Sequence, residues 1–192
     1  PIFLIVGAAK SGTTSLYYYL KQHPEIYMSP IKEPKFFTSQ FLSFPFKGTG
    51  DENVEKNVIK SFREYRDLFK YVNNEKLIGE ASPDNLYYYE KTIDYIRKYL
   101  QNIKIIIIIR NPIDRAYSAY LHLKRNNREF LSFEEGIRNE KEREENNWEF
   151  IWFYTDVGFY YNQVKAYLEN FAQVKLYLFD DLKKDTLGVI KD

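Results

Sequence analysis

The most constraining stretch of the chain is Ile103–Ile109, where isoleucine fills every position except Lys104. A run this apolar, with no alternation, leaves neither face suited to water. It predicts a strand buried on both sides, as in a parallel sheet covered by helices. Parallel neighbours need crossover connections, and the rest of the sequence supplies them. Ile2–Val6 and Val174–Phe179 read as further strands, and Leu77-Ile78-Gly79 as a short one. Between them the pattern is helical. Leu16–Leu20 is closed by His23-Pro24; Val58, Phe62, Tyr65, Phe69 and Val72 recur at three- and four-residue steps; Leu86–Leu100 and Gly158–Phe171 follow the same rule. Asn111 with Pro112 opens a helix to about Arg125, and Ser132-Phe133-Glu134-Glu135 is a capping box for another. The expectation is an α/β fold of three layers, a mainly parallel central sheet flanked by helices, in one domain spanning residues 1–192. Thr38–Glu52 shows no period and reads as a loop, and the charge run Arg138–Glu145 as a solvated helix face.

Composition narrows the chemistry. There is no cysteine, which removes disulfides and thiolate zinc sites from consideration. The net charge of +1 does not suit a general polyanion or nucleic-acid binder, so any anion recognition must be local. No apolar run reaches the ~20 residues of a membrane span. The sequence opens on Pro1 and enters a strand at once, which reads as a trimmed chain. A cytoplasmic location is the expectation, and the oligomeric state is left open.

The local anion site is visible directly after the first strand. Gly7-Ala8-Ala9-Lys10-Ser11-Gly12-Thr13-Thr14-Ser15 leads into a helix, so backbone N–H groups and a helix N-terminus meet at one sheet edge. The Gly7-to-Gly12 spacing is that of a P-loop, but Thr13 stands where the nucleoside triphosphatases carry lysine, and the lysine is Lys10, inside the loop. Those enzymes also need an acidic residue at a strand end to help hold magnesium. Here the Ile103–Ile109 strand ends in Arg110, with Ser118 eight residues on. Taken alone, Arg110 could be a salt-bridging surface residue. Two anion sites at two strand ends instead suit a nucleotide phosphorylated at two places, with no metal beside it.

The pair of motifs resembles the sulfotransferases that use 3′-phosphoadenylyl sulfate (PAPS). Lys10–Ser15 is similar to their 5′-phosphosulfate loop, and Ile107-Ile108-Ile109-Arg110-Asn111-Pro112-Ile113-Asp114-Arg115-Ala116-Tyr117-Ser118 to their 3′-phosphate motif. The resemblance implies a P-loop-like fold in which Lys10, Ser11, Gly12, Thr13, Thr14 and Ser15 hold the 5′-phosphosulfate and Arg110 with Ser118 the 3′-phosphate. The glycan-type branch, which includes heparan sulfate N- and O-sulfotransferases and bacterial relatives, is the most similar. Its Glu-x-(His/Lys)-Phe-Phe signature stands here as Glu33-Pro34-Lys35-Phe36-Phe37, which puts Glu33 at the catalytic base. His122 matches a histidine of the N-sulfotransferases. Glu80-Ala81-Ser82-Pro83 departs from a Glu-Lys-Ser/Thr-Pro segment at Ala81, where the substrate-side lysine would stand. The family also continues beyond the last strand with helices and a basic lid, so the domain is expected to be incomplete at its C-terminus.

On this reading sulfate passes from PAPS to a hydroxyl or amine of a glycan, glycolipid or metabolite, leaving adenosine 3′,5′-bisphosphate, with no metal. Lys10 neutralises the leaving oxygen, Glu33 takes the acceptor proton, and His122 orients or deprotonates the acceptor. Plainer readings stand beside these. Glu33 could be a loop carboxylate paired with Lys32 or Lys35, and His122 a half-buried helix histidine. Lys124, Arg125 and Arg128 form a basic cluster that could meet an anionic acceptor or simply face solvent. Tyr17–Tyr19 and Tyr87–Tyr89 read as core and rim packing rather than a sugar platform. The alternatives for the whole chain are a P-loop kinase or NTPase, and a catalytically silent nucleotide-binding domain.

Overall fold

The computed structural model describes Pro1–Asp192. Five strands, β1 (Phe3–Gly7), β2 (Ile26–Met28), β3 (Leu77–Ala81), β4 (Lys104–Ile109) and β5 (Val174–Leu178), form one sheet in the order β2-β3-β1-β4-β5. Every pairing is parallel, from Phe3 opposite Gly79 to Ile109 opposite Leu178. The expected mainly parallel α/β sheet is therefore present. Strand β2 was missed, because three residues at a sheet edge are too short to show a period.

The isoleucine run is explained by two-sided burial. Leu4, Val6, Ile105 and Ile107 enter one core with Leu86, Ile93, Ile96 and Tyr167, whereas Phe3, Ile5 and Ile108 enter another with Leu16, Tyr17 and Leu20. Successive side chains of a strand point to opposite faces, so both parities must be apolar when helices cover both. A third cluster around Tyr120, Trp152 and Tyr154 packs separately from these two.

The connecting helices are α1 (Thr13–Lys21), α2 (Phe36–Ser39), α3 (Glu52–Glu55), α4 (Phe62–Asp67), α5 (Asp84–Tyr87), α6 (Tyr89–Tyr99), α7 (Pro112–Arg125), α8 (Phe133–Arg138), α9 (Glu140–Glu145), α10 (Tyr160–Asn170), α11 (Phe179–Lys184) and α12 (Thr186–Lys191). The capping expectations hold. Asn111 Oδ1 accepts from the Ile113 and Asp114 N–H groups, and Ser132 with Glu135 forms a complete capping box. None of the helices is long and apolar enough to cross a membrane.

Three expectations need correction. The helix drawn over Val58–Val72 is only α4: Ser61 caps it by accepting from the Glu64 N–H, and Ile59 before it is drawn out by donating to the Pro34 carbonyl (2.9 Å). Leu86–Leu100 is broken at Tyr88, whose ψ of 33° separates α5 from α6. Arg138–Glu145 is not wholly solvated. Arg143 is buried, pairs with Glu129 (2.7 Å) and lies over the rings of Trp148, Trp152 and Tyr154, while Glu140 accepts from Thr155 (2.7 Å). A period counts apolar residues and cannot see charges that bury each other.

The aperiodic Thr38–Glu52 segment is also tied down. Asp51, fully buried, accepts from the N–H groups of Gly48 (2.9 Å) and Glu149 (3.0 Å) and from Trp152 Nε1 (3.0 Å), and pairs with Arg128. Backbone donors in a loop need partners as much as those in a strand, and one carboxylate serves several here.

Candidate active site

At the carboxyl ends of β1 and β4, where parallel sheets usually present ligands, lies a cavity of about 410 Å³. The β1–α1 loop forms one wall. Lys10 holds a left-handed backbone (φ 65°), as does Gly12 (φ 96°). Gly12 is required twice over, since a Cβ there would lie 2.8 Å from the Phe179 ring. Leu16 is the first residue of α1 whose N–H bonds back, to the Gly12 carbonyl (3.0 Å), so the N–H groups of Thr13, Thr14 and Ser15 have no carbonyl one turn earlier to meet. Thr13, Thr14 and Ser15 line the cavity. Ser11 does not: its side chain is fully buried and its hydroxyl has no partner.

The second wall comes from β4 and α7. Arg110 and Ser118 face the same cavity as the loop a hundred residues earlier. The Arg110 guanidinium lies over the Phe179 ring (4.8 Å) and reaches the Lys10 carbonyl (3.5 Å) without a carboxylate partner. Four cations, Lys10, Lys32, Arg110 and Arg128, line the cavity against two carboxylates, Glu33 and Glu149. A chain with almost no net charge thus concentrates positive potential at one place. Burial, together with the charges of Arg125, Lys32 and Arg110, lowers the pKa of Lys10 from the usual lysine value, with Glu33 opposing. An anion entering here would relieve that repulsion.

Glu33 and His122 reach the same space. The loop carrying Glu33 is pinned to β3 by its own N–H, which donates to the Ala81 carbonyl (3.0 Å). Behind it the Lys35 N–H donates to Ser82 Oγ (3.2 Å), and that hydroxyl donates to Glu80 (2.9 Å), a buried carboxyl pushed up to about 8 chiefly by desolvation. Desolvation opposes ionisation of Glu33 too, but Lys32, Lys35 and Lys10 outweigh it and hold the group below the usual glutamate range. The two flanking lysines divide the work. Lys32 pairs directly with Glu33, whereas Lys35 turns inward to Glu149 (3.0 Å) and Asp84 (3.8 Å). His122 is half-buried; burial and the nearby Lys10, Arg125 and Arg128 depress it to about 4. At neutral pH the site therefore offers a carboxylate and an uncharged imidazole, and the cations that keep the imidazole uncharged also disfavour its taking a proton.

Sequence reading missed several wall residues. Glu149, Phe150 and Phe179 carried no signal in the chain, being single residues brought in by packing. Arg128 belonged to a visible basic cluster, yet it is neither solvated nor free: besides Asp51 it donates to the Thr49 carbonyl (2.7 Å) and lies over Trp152 (5.4 Å). No group of three or more His, Asp or Glu side chains is placed to hold a metal ion.

Comparison with known proteins identifies the family. The sulfotransferase domain family matches residues 1–192. A solved sulfotransferase from Alicyclobacillus acidocaldarius is 44% identical and superposes with a TM-score of 0.96, over 100% of this chain and 78% of that one. Human carbohydrate sulfotransferase 15 is 27% identical over 168 residues, covering 71% of this chain and 30% of its own. Human bifunctional heparan sulfate N-deacetylase/N-sulfotransferase 2 is 34% identical over 131 residues, covering 64% and 13%. The chain thus spans less than a third of the length of these curated relatives.

Proposed function

The chain belongs to the sulfotransferase domain family, and we propose that it moves a sulfuryl group from PAPS to a hydroxyl or amine of an acceptor, releasing adenosine 3′,5′-bisphosphate. One observation carries this reading: the Lys10–Ser15 loop and the Arg110–Ser118 pair, remote in sequence, line a single cation-rich cavity together with Glu33 and His122. The residues fit the donor. The unpaired Arg110 suits a 3′-phosphate, Ser118 lines the same cavity, and the start of α1 with Lys10 suits the 5′-phosphosulfate. Ser11 is fully buried, and its N–H already donates to the Ala8 carbonyl (3.2 Å). The family match favours this reading over a P-loop kinase, and the presence of Lys10, Glu33 and Arg110 favours it over a silent binding domain.

When bound, PAPS supplies an activated sulfuryl group. The protein's part is positioning and charge. Lys10 neutralises the negative charge that grows on the leaving oxygen, Glu33 accepts the proton from the attacking oxygen or nitrogen, and His122 holds the acceptor by hydrogen bonding. The names of the curated relatives point to carbohydrate as the acceptor class. The test is transfer from labelled PAPS to carbohydrate acceptors by Glu33→Gln and His122→Ala, with bisphosphate affinity measured beside it. Glu33→Gln should keep nucleotide affinity and lose about 10²–10⁴-fold in transfer. Near-normal transfer in Glu33→Gln with collapse in His122→Ala would move the base to His122. Loss of nucleotide binding in Glu33→Gln would make that glutamate structural.

A further inference from the structure

A second, larger opening of about 570 Å³ lies behind the donor cavity. The two are neighbours through one aromatic layer. Phe150 lines the donor cavity, and its ring packs against Tyr87 (5.7 Å) and Tyr88 (6.0 Å), which line the second groove. The Tyr87–Tyr89 run packs against two of the cores, as expected, and also rims this groove with Phe41 and Phe159. Phe159 is 70% exposed.

The polar lining is as uneven as the aromatic one. Glu90, Glu144 and Asp156 face the groove without a cationic partner, although Asp156 accepts from the Tyr87 hydroxyl (2.5 Å) and Glu90 from the Tyr89 hydroxyl (3.3 Å); the single lysine there, Lys91, lies over Phe41 (5.5 Å). Gln163, only 4% exposed, also lines it, and its Oε1 has no hydrogen-bond partner.

We propose that this groove binds a glycan segment carrying no acidic groups, as a remote subsite for the acceptor of the transferase. Aromatic faces with amides and carboxylates around them match a sugar ring, which offers C–H faces and a rim of hydroxyl donors. These carboxylates, with no cation beside them, repel polyanions, which excludes a heparin-like chain or a nucleic acid, and their remaining lone pairs accept hydrogen bonds from neutral or amino sugars alike. The volume falls in the range of ordinary ligand sites. The subsite role rests on the transferase reading; the binding itself does not.

The test is calorimetric titration with a neutral oligosaccharide (cellohexaose), an amino one (a chitosan hexamer) and an acidic one (a heparosan hexasaccharide). Bisphosphate affinity is measured on the same samples. Either of the first two should bind, and the acidic one should not. Phe159→Ala, an exposed position that cannot disturb the core, and Gln163→Leu should each weaken binding about tenfold, a step of 1.4 kcal/mol, with bisphosphate affinity unchanged. Glu144→Gln should weaken only the amino sugar if its ammonium is what the groove reads. Preference for the acidic hexasaccharide, or affinities untouched by both Phe159→Ala and Gln163→Leu, would overturn the proposal. Oligosaccharide binding in a protein that fails to take the bisphosphate would sustain the groove and sink the transferase reading. Bisphosphate binding with no oligosaccharide binding would do the reverse.

Discussion

Asp51 is the side chain whose loss should be felt furthest. Its carboxylate is fully buried and collects three neutral donors, the Gly48 and Glu149 N–H groups and Trp152 Nε1, besides the guanidinium of Arg128, whose side chain is 12% exposed. Asp51→Ala strands all of them. Breaking a buried ion pair by removing one partner costs about 3–5 kcal/mol, because the remaining charge stays desolvated. Each stranded neutral donor would add about 1–3 kcal/mol if no water reached it. Water can enter the space left by the carboxylate and Arg128 keeps the Thr49 carbonyl, so a loss of about 4 kcal/mol is the expectation. That is a large part of the ~5–15 kcal/mol that holds a domain together. Asp51→Asn, which keeps the shape and one acceptor oxygen, should cost less. Urea unfolding with an unchanged slope measures both. Since Arg128 and Glu149 line the donor cavity, bisphosphate affinity should fall with stability. In a double-mutant cycle with Arg128→Ala the two changes should couple by about 0.5–3 kcal/mol. A cost below 1 kcal/mol for Asp51→Ala would refute the view that this carboxylate organises the loop.

Gly12→Ala places a Cβ against the Phe179 ring at a positive φ, so it should destabilise by about 1–3 kcal/mol and weaken the bisphosphate; a neutral result in thermal unfolding would refute the packing argument. Arg110→Ala should cost about 1.5–3 kcal/mol in binding the 3′-phosphorylated nucleotide and far less for the analogue without that phosphate, with equal losses showing that Arg110 reads something else. His122 should titrate near pH 4 by NMR. Because its folded pKa lies below the unfolded ~6.5, the unfolded chain binds the extra proton between those values, and this residue's share of stability falls as pH drops from about 6.5 toward 4. An imidazole pKa at or above 6 would contradict the cationic surroundings drawn here.

The sequence alone determined the parts of this protein that local rules control. The Ile103–Ile109 run required two-sided burial and hence a parallel sheet. The Asn111-Pro112 and Ser132–Glu135 caps marked their helices within a residue, since capping is settled by near neighbours. The Lys10–Ser15 and Arg110–Ser118 motifs were legible because each is contiguous, and strand order then brings both to the carboxyl ends of two adjacent central strands. What the chain could not show is whatever depends on a distant partner. Asp51 and Arg128 are 77 residues apart and Lys35 and Glu149 114, and neither pairing leaves a period or a motif. The same holds for Ser11, which shares a motif with residues that face the cavity yet turns into the core, and for Tyr87–Tyr89, which pack as their sequence suggests but in place also rim an open groove. A side chain's neighbours along the chain set its backbone; its neighbours in space set its charge state, its solvent and therefore its role.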